Sequence, residues 1–157
     1  MTAGLAEQVW IAAALLHREH SEREDFSVRE ILERARAVAA PRPVPPGLQT
    51  HVYKHCVANL RPDPGTHRYL VATARGRRRL YRPGDPYDPR RARGRARPLA
   101  LPPRYGALLP WYERWCAAQA PAAPRPDPLL ALKGAAAKLW GGRDPDAYVR
   151  QLRAGWK

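Results

Sequence analysis

The chain has 157 residues, among them 18 prolines and 11 glycines, with a formal charge of +14 at pH 7. Proline and glycine spread this unevenly argue against one compact core over the whole length. The longest apolar run, Val9 to Leu16 with Trp10, falls far short of a membrane span. Cys56 and Cys116 are too few for a disulfide framework, and no secretory leader is read. The expected setting is therefore cytoplasmic.

The charge is concentrated. Residues 1–60 hold seven Lys/Arg and seven Asp/Glu; residues 61–104 hold thirteen Arg and three Asp, a net of +10; residues 105–157 carry +4. Such clustering points to a polyanion, nucleic acid before anionic membrane. Only Lys54, Lys133, Lys138 and Lys157 are lysines. Arginine makes planar bidentate contacts with phosphate and guanine edges. A GC-rich genome also explains an Arg, Ala and Pro bias, but it does not explain the clustering.

In chain order, a first helix is predicted from Thr2 or Leu5 to His20, with Leu5, Val9, Ala12, Ala13 and Leu16 on one apolar stripe. The polar stretch His20 to Asp25 is read as a connection. Ser27 and Glu30 have capping-box spacing, and Phe26 and Ile31 occupy the staple positions. They start a second helix with Val28, Ile31, Leu32, Ala35 and Val38 inward. Pro41 ends it, and the chain from Pro41 to Gly47 is a stiff connection. A third helix is expected from Leu48 to Asn59, with Leu48, Val52 and Cys56 as its buried edge and Asn59 as a left-handed C-cap.

The period then changes. His67 to Thr73 and Arg78 to Arg82 read as two short strands joined through Gly76, which supplies the positive φ of a tight hairpin. Three helices followed by a hairpin resemble the winged helix-turn-helix class of bacterial DNA-binding proteins. The resemblance covers residues from about 5 to 83, within a domain expected at 1–83. It implies a mainly α fold with a small β-hairpin, a third helix presented outward, and duplex DNA as the partner.

The expected organisation continues with a flexible basic arm at 84–104, a docking helix at 105–119 carrying Leu108, Leu109, Trp111, Tyr112 and Trp115, a proline-rich linker at 120–128, and a tail at 129–157. In the tail, Leu139-Trp140-Gly141 precedes a segment capped by Asp144 and Pro145, with Tyr148, Val149, Leu152 and Trp156 on one face. It resembles the C-terminal toxin-binding tail of type II antitoxins, above all those paired with PIN-domain ribonucleases. That resemblance implies a toxin-like ribonuclease as a second partner, bound by Leu139, Trp140, Tyr148, Val149, Leu152 and Trp156.

On the third helix, Gln49, Thr50, His51, Tyr53 and Lys54 lie off the apolar edge. Gln reads adenine, Lys and His reach guanine or phosphate, and Thr and Tyr bond phosphate. Arg75, Arg77, Arg78 and Arg79 crowd the hairpin, where a wing lies along the backbone or enters a minor groove. Arg91 and Arg93, with Arg90, Arg95 and Arg97, would extend the footprint through the arm.

His51 and His55 are spaced i, i+4 beside Cys56, and His17 and His20 are spaced i, i+3. No paired-cysteine spacing accompanies them, so neither metal nor cofactor is expected. Glu113 is the only Glu after residue 33, and no phosphate loop or nucleophile elbow is present, so no enzyme is expected. The expectation is a sequence-specific DNA-binding transcriptional regulator, with an antitoxin-type repressor as the reading the tail adds. A protein-interaction adaptor and an RNA-binding protein stay open as alternatives.

Overall fold

A computed structural model of the protein describes residues 3–39, 46–119, 150–151 and 153–154. The chain divides into two units, Met1–Gln119 and Ala120–Lys157. In the second unit, Arg150, Gln151, Arg153 and Ala154 are helical. The connection at 41–45, the linker at 120–128 and the side chains of Leu139, Trp140, Tyr148, Val149, Leu152 and Trp156 lie outside the described residues.

The first unit is mainly helical with a small antiparallel sheet. Its elements are α1 (Leu5–Glu19), β1 (Phe26–Ser27), α2 (Val28–Ala39), α3 (Leu48–Thr50, continued by a π-helical turn His51–His55), β2 (Leu70–Ala74), β3 (Arg77–Leu80) and α4 (Leu108–Gln119). No helix among the described residues is long and apolar enough to cross a membrane.

Helix α1 is the centre of the core. Residues Val9 to Ala14 are fully buried on every side, beyond the single expected stripe. The reason is that α1 packs against α2, α3 and β3, and α4 covers it as well. Trp10 meets Tyr112 of α4 edge to face at 5.4 Å. Phe26, Ile31, Leu48, Val52, Tyr69, Leu70, Leu80 and Leu108 complete the cluster.

Helix α2 starts as its sequence dictates. The Ser27 amide donates to Glu30 Oε2 at 2.8 Å, and the Glu30 amide donates back to Ser27 Oγ at 3.2 Å. This reciprocal box satisfies two amides that a helix start leaves without partners. Arg23 adds a fork onto Glu30, which holds that carboxyl down at about 2.

The sheet has the order β1-β3-β2, with Phe26 opposite Arg78 and Ser27 opposite Arg77. The sequence suggests only a two-stranded hairpin; Phe26–Ser27 adds a third strand just before α2. Two residues carry no periodicity, which is why this strand is invisible in the pattern. Register shifts by one residue between Ala72 and Ala74, where the hairpin turns through Gly76 at φ +69°.

Two expectations change. Asn59 is not a left-handed cap, since every positive φ among the described residues belongs to glycine. Its side chain instead pairs with the β2 edge: the Asn59 amide donates to Ala72 O at 2.9 Å, and the Ala72 amide donates to Asn59 Oδ1 at 2.9 Å. Residues 84–104 are not a loose arm. They belong to the first unit and include 3-10 turns at Pro89–Arg91 and Pro103–Tyr105.

Candidate nucleic-acid interface

Helix α3 begins after Gly47, whose φ of +96° turns the chain into the helix. Leu48, Val52 and Cys56 are buried and anchor one edge. Gln49, Thr50, Tyr53 and Lys54 are exposed on the other. The helix is shorter than the expected Leu48 to Asn59. The Cys56 amide reaches back five residues to His51 O at 3.1 Å, a π-type closure, and the helix stops there.

His51 stands half-buried at this turn. Its ring meets His55 edge to face at 4.8 Å, and its Nδ1 lies 3.6 Å from Cys56 Sγ. Burial, followed by the neighbouring His55, lowers its pKa, so the ring is neutral at pH 7. Lys54 pairs at the surface with Asp63 at 3.4 Å. Lys54, Leu60, Arg61, Pro62 and Asp63 line a cleft at the end of the helix.

The four hairpin arginines have four different fates. Arg75, beside Gly76, is exposed and forms no ion pair among the described residues. Nothing lies within 4 Å of where a side chain at Gly76 would begin, so the turn stands clear. Arg77 is half-buried. Its Nε donates to Asp25 Oδ1 at 2.7 Å, and that contact leads the causes holding the Asp25 carboxyl below the ordinary range.

Arg78, Arg79 and Arg91 were expected to face nucleic acid, and the structure buries all three. Arg78 turns inward and donates to Arg77 O at 2.8 Å and to Tyr53 O at 3.5 Å, tying the hairpin to α3. Arg79 makes a bidentate pair with Asp85, at 2.6 and 2.7 Å. Arg91 is fully buried, and its guanidinium donates to the carbonyls of Lys54, His55, Leu60, Arg61 and His67. Local charge density hides these fates because every acceptor is a backbone carbonyl or an aspartate remote in sequence or set inside the basic run. The acids do leave a trace: Asp85 follows Arg79 closely, and Asp25 ends the polar connection.

Arg93 is exposed, as are Arg61 and Arg95, and none of the three forms an ion pair among the described residues. Arg61 has no neighbouring arginines in sequence and gives no signal there. Its place at the end of α3 appears only in the fold.

No protein-family model, curated protein sequence or solved structure matches this chain.

The surface so assembled offers hydrogen-bonding and cationic groups for recognition. Among the described residues no group of three or more His, Cys, Asp or Glu side chains is arranged to hold a metal ion. His17, the other histidine of interest, is buried in the core. Its Nε2 accepts from the Leu80 amide at 3.2 Å, and its ring lies edge-on to Phe26 at 4.9 Å.

Proposed function

We propose that the chain is a sequence-specific DNA-binding protein of the winged helix-turn-helix kind, acting as a transcriptional regulator. In this reading α3 enters a major groove and the β2–β3 turn touches the neighbouring backbone. The observation that carries it is the division of α3: Leu48 and Val52 are buried, while Gln49, Thr50, Tyr53 and Lys54 stand exposed. Beside it lies a hairpin with Arg75 free at its tip. Further support comes from the element order α1-β1-α2-α3-β2-β3 and the strand order β1-β3-β2. Duplex DNA is favoured over duplex RNA because the A-form major groove is too narrow for side chains to read.

The test is a salt titration of binding to labelled duplex, followed by fluorescence anisotropy. Arg75→Ala is expected to flatten the log–log salt slope by about one, the loss of one phosphate contact. Arg79→Ala is expected to leave the slope alone and lower stability, because Arg79 is spent on Asp85. A chain that binds no duplex at low salt contradicts the function; an unchanged slope for Arg75→Ala removes the wing from it.

The tail supports a narrower form of the proposal, an antitoxin-type repressor. The resemblance of Leu139 to Trp156 to toxin-binding tails favours it, as does the assignment of Ala120–Lys157 to a unit of its own. Deleting residues 129–157 is then expected to leave melting temperature and DNA binding nearly unchanged while abolishing capture of a PIN-domain ribonuclease. A melting temperature lower by several degrees would make the tail part of the core instead.

A further inference from the structure

We propose that Arg61, Arg93 and Arg95 form a second phosphate-contact patch, pre-ordered in the free protein, which grips the duplex backbone beyond the C-terminal end of α3. This rests on the DNA-binding reading above and adds the extent of the footprint to it.

The patch is built by Arg91. Guanidinium is planar, with five N–H donors in a fixed fork. Here Nε donates to Leu60 O at 2.7 Å, Nη1 to His55 O at 2.8 Å and His67 O at 2.9 Å, and Nη2 to Lys54 O at 2.9 Å and Arg61 O at 3.3 Å. Two of those carbonyls close α3, whose end carries partial negative charge; the Lys54 oxygen also accepts from the Val57 amide at 3.1 Å. The other three belong to the loop between α3 and β2. One side chain thus fastens the segment around residue 91 to the helix end and to the loop that follows it.

Three further contacts seal the segment. Gly94 lies so close to Thr66 that an added Cβ would sit 1.8 Å from the Thr66 carbonyl oxygen. Only glycine fits there. The Arg68 amide donates to Arg95 O at 2.7 Å, and Arg68 Nε donates to Gly94 O at 3.1 Å. Arg93 and Arg95 therefore project from backbone that is held on both sides.

Among the described residues, none of the three guanidiniums is held by a direct ion pair. Of the acids near in sequence, Asp63 pairs with Lys54, Asp85 with Arg79 and Asp88 with Arg90. Arg61, Arg93 and Arg95 are exposed and form no ion pair among the described residues. Exposed cations on a fastened surface attract an external polyanion. Lys54 and Arg61 line one cleft at the end of α3, so a polyanion lying on α3 reaches the patch at Arg61. Fixing the backbone that carries the arginines in advance also reduces the ordering lost on binding.

The experiment uses the full chain and a labelled duplex extending well beyond the site that α3 and the hairpin cover. Arg93→Ala with Arg95→Ala is expected to flatten the salt slope by about two, with preferred sequence and melting temperature unchanged. Arg93→Lys with Arg95→Lys is expected to restore the slope. A double alanine variant with the parent's slope overturns the patch alone. A parent that binds no duplex overturns the DNA reading and the patch with it. Arginine-dependent binding to phosphatidylserine vesicles in place of duplex assigns the patch to a membrane surface and overturns the proposal.

Discussion

Asp25 and Arg77, 52 positions apart, join the loop before β1 to the start of β3. Arg77 Nε donates to Asp25 Oδ1 at 2.7 Å, and the Thr73 hydroxyl donates to Oδ2 at 2.6 Å. One carboxylate thus braces both strands of the hairpin behind Arg75. It also withdraws Arg77 from the set of cations free to meet an anion.

Asp25→Ala is expected to lower stability by about 1 kcal/mol, since the pair is only partly shielded from water. Urea unfolding at neutral pH measures it. Salt-dependent DNA binding should steepen in the same variant, because an acid is removed and Arg77 is released. Unchanged stability would mean that the hairpin is held by its backbone ladder alone.

The buried His17 makes stability depend on pH. Burial, followed by the cations Arg79 and Arg82, pushes its pKa down from 6.5 to about 4. Between these values the unfolded chain binds the proton and the folded chain does not, so stability rises with pH. The contribution is complete above pH 6.5 and is lost as pH falls toward 4, a loss of about 3 kcal/mol. Asp25, held below its ordinary 3.8 by Arg77, adds a loss of the same sign at still lower pH. Denaturant midpoints from pH 7 to 4.5 check this. His17→Gln, which retains an acceptor for Leu80, should flatten the curve in that window. A parent curve flat from pH 7 to 4.5 would contradict a neutral, buried His17.

Replacing Arg91 tests the hub. Arg91→Met takes the guanidinium donors from the carbonyls of His55, Leu60, Arg61 and His67, while Lys54 O keeps the Val57 amide, at a cost of about 3–5 kcal/mol. Arg91→Lys supplies three donors for five acceptors and should fall between Met and the parent. Amide exchange at Gly94 and Arg68, whose amides bond Arg91 O and Arg95 O, should accelerate in both variants. Equal stability of all three proteins would show that the segment is held without Arg91.

Asn59→Ala removes two hydrogen bonds to Ala72 at once. The expected loss is about 1–2 kcal/mol, read by thermal melting, with faster exchange at the Ala72 amide. Asn59→Asp keeps the acceptor but not the donor, and should recover only part of that loss.

Helix starts and the hydrophobic edge of α3 were legible because they are local. The Ser27–Glu30 box depends on residues three apart, and Leu48, Val52 and Cys56 repeat every four positions. Gly76 marks the turn by its own conformational freedom. The expected lengths erred where distant partners intervene. The tail of the expected third helix gives way to the Asn59–Ala72 pairing and to the carbonyl ring around Arg91. The arginines show the same limit. In sequence, Arg75, Arg78, Arg79 and Arg91 look alike, yet one is free, one bonds carbonyls of β3 and α3, one holds Asp85 and one is buried whole. Burial of a guanidinium is decided by acceptors that converge from several segments, and no local pattern records that.

The central claim is that α3 reads base sequence, and selection of duplexes from a random pool tests it most directly. The account predicts enrichment of a defined site. It also predicts that Gln49→Ala or Lys54→Ala, measured on that site, relaxes preference at one position by about 1–3 kcal/mol while other positions keep theirs. A parent protein that returns no preferred sequence, or variants whose preferences match the parent's at every position, would contradict it.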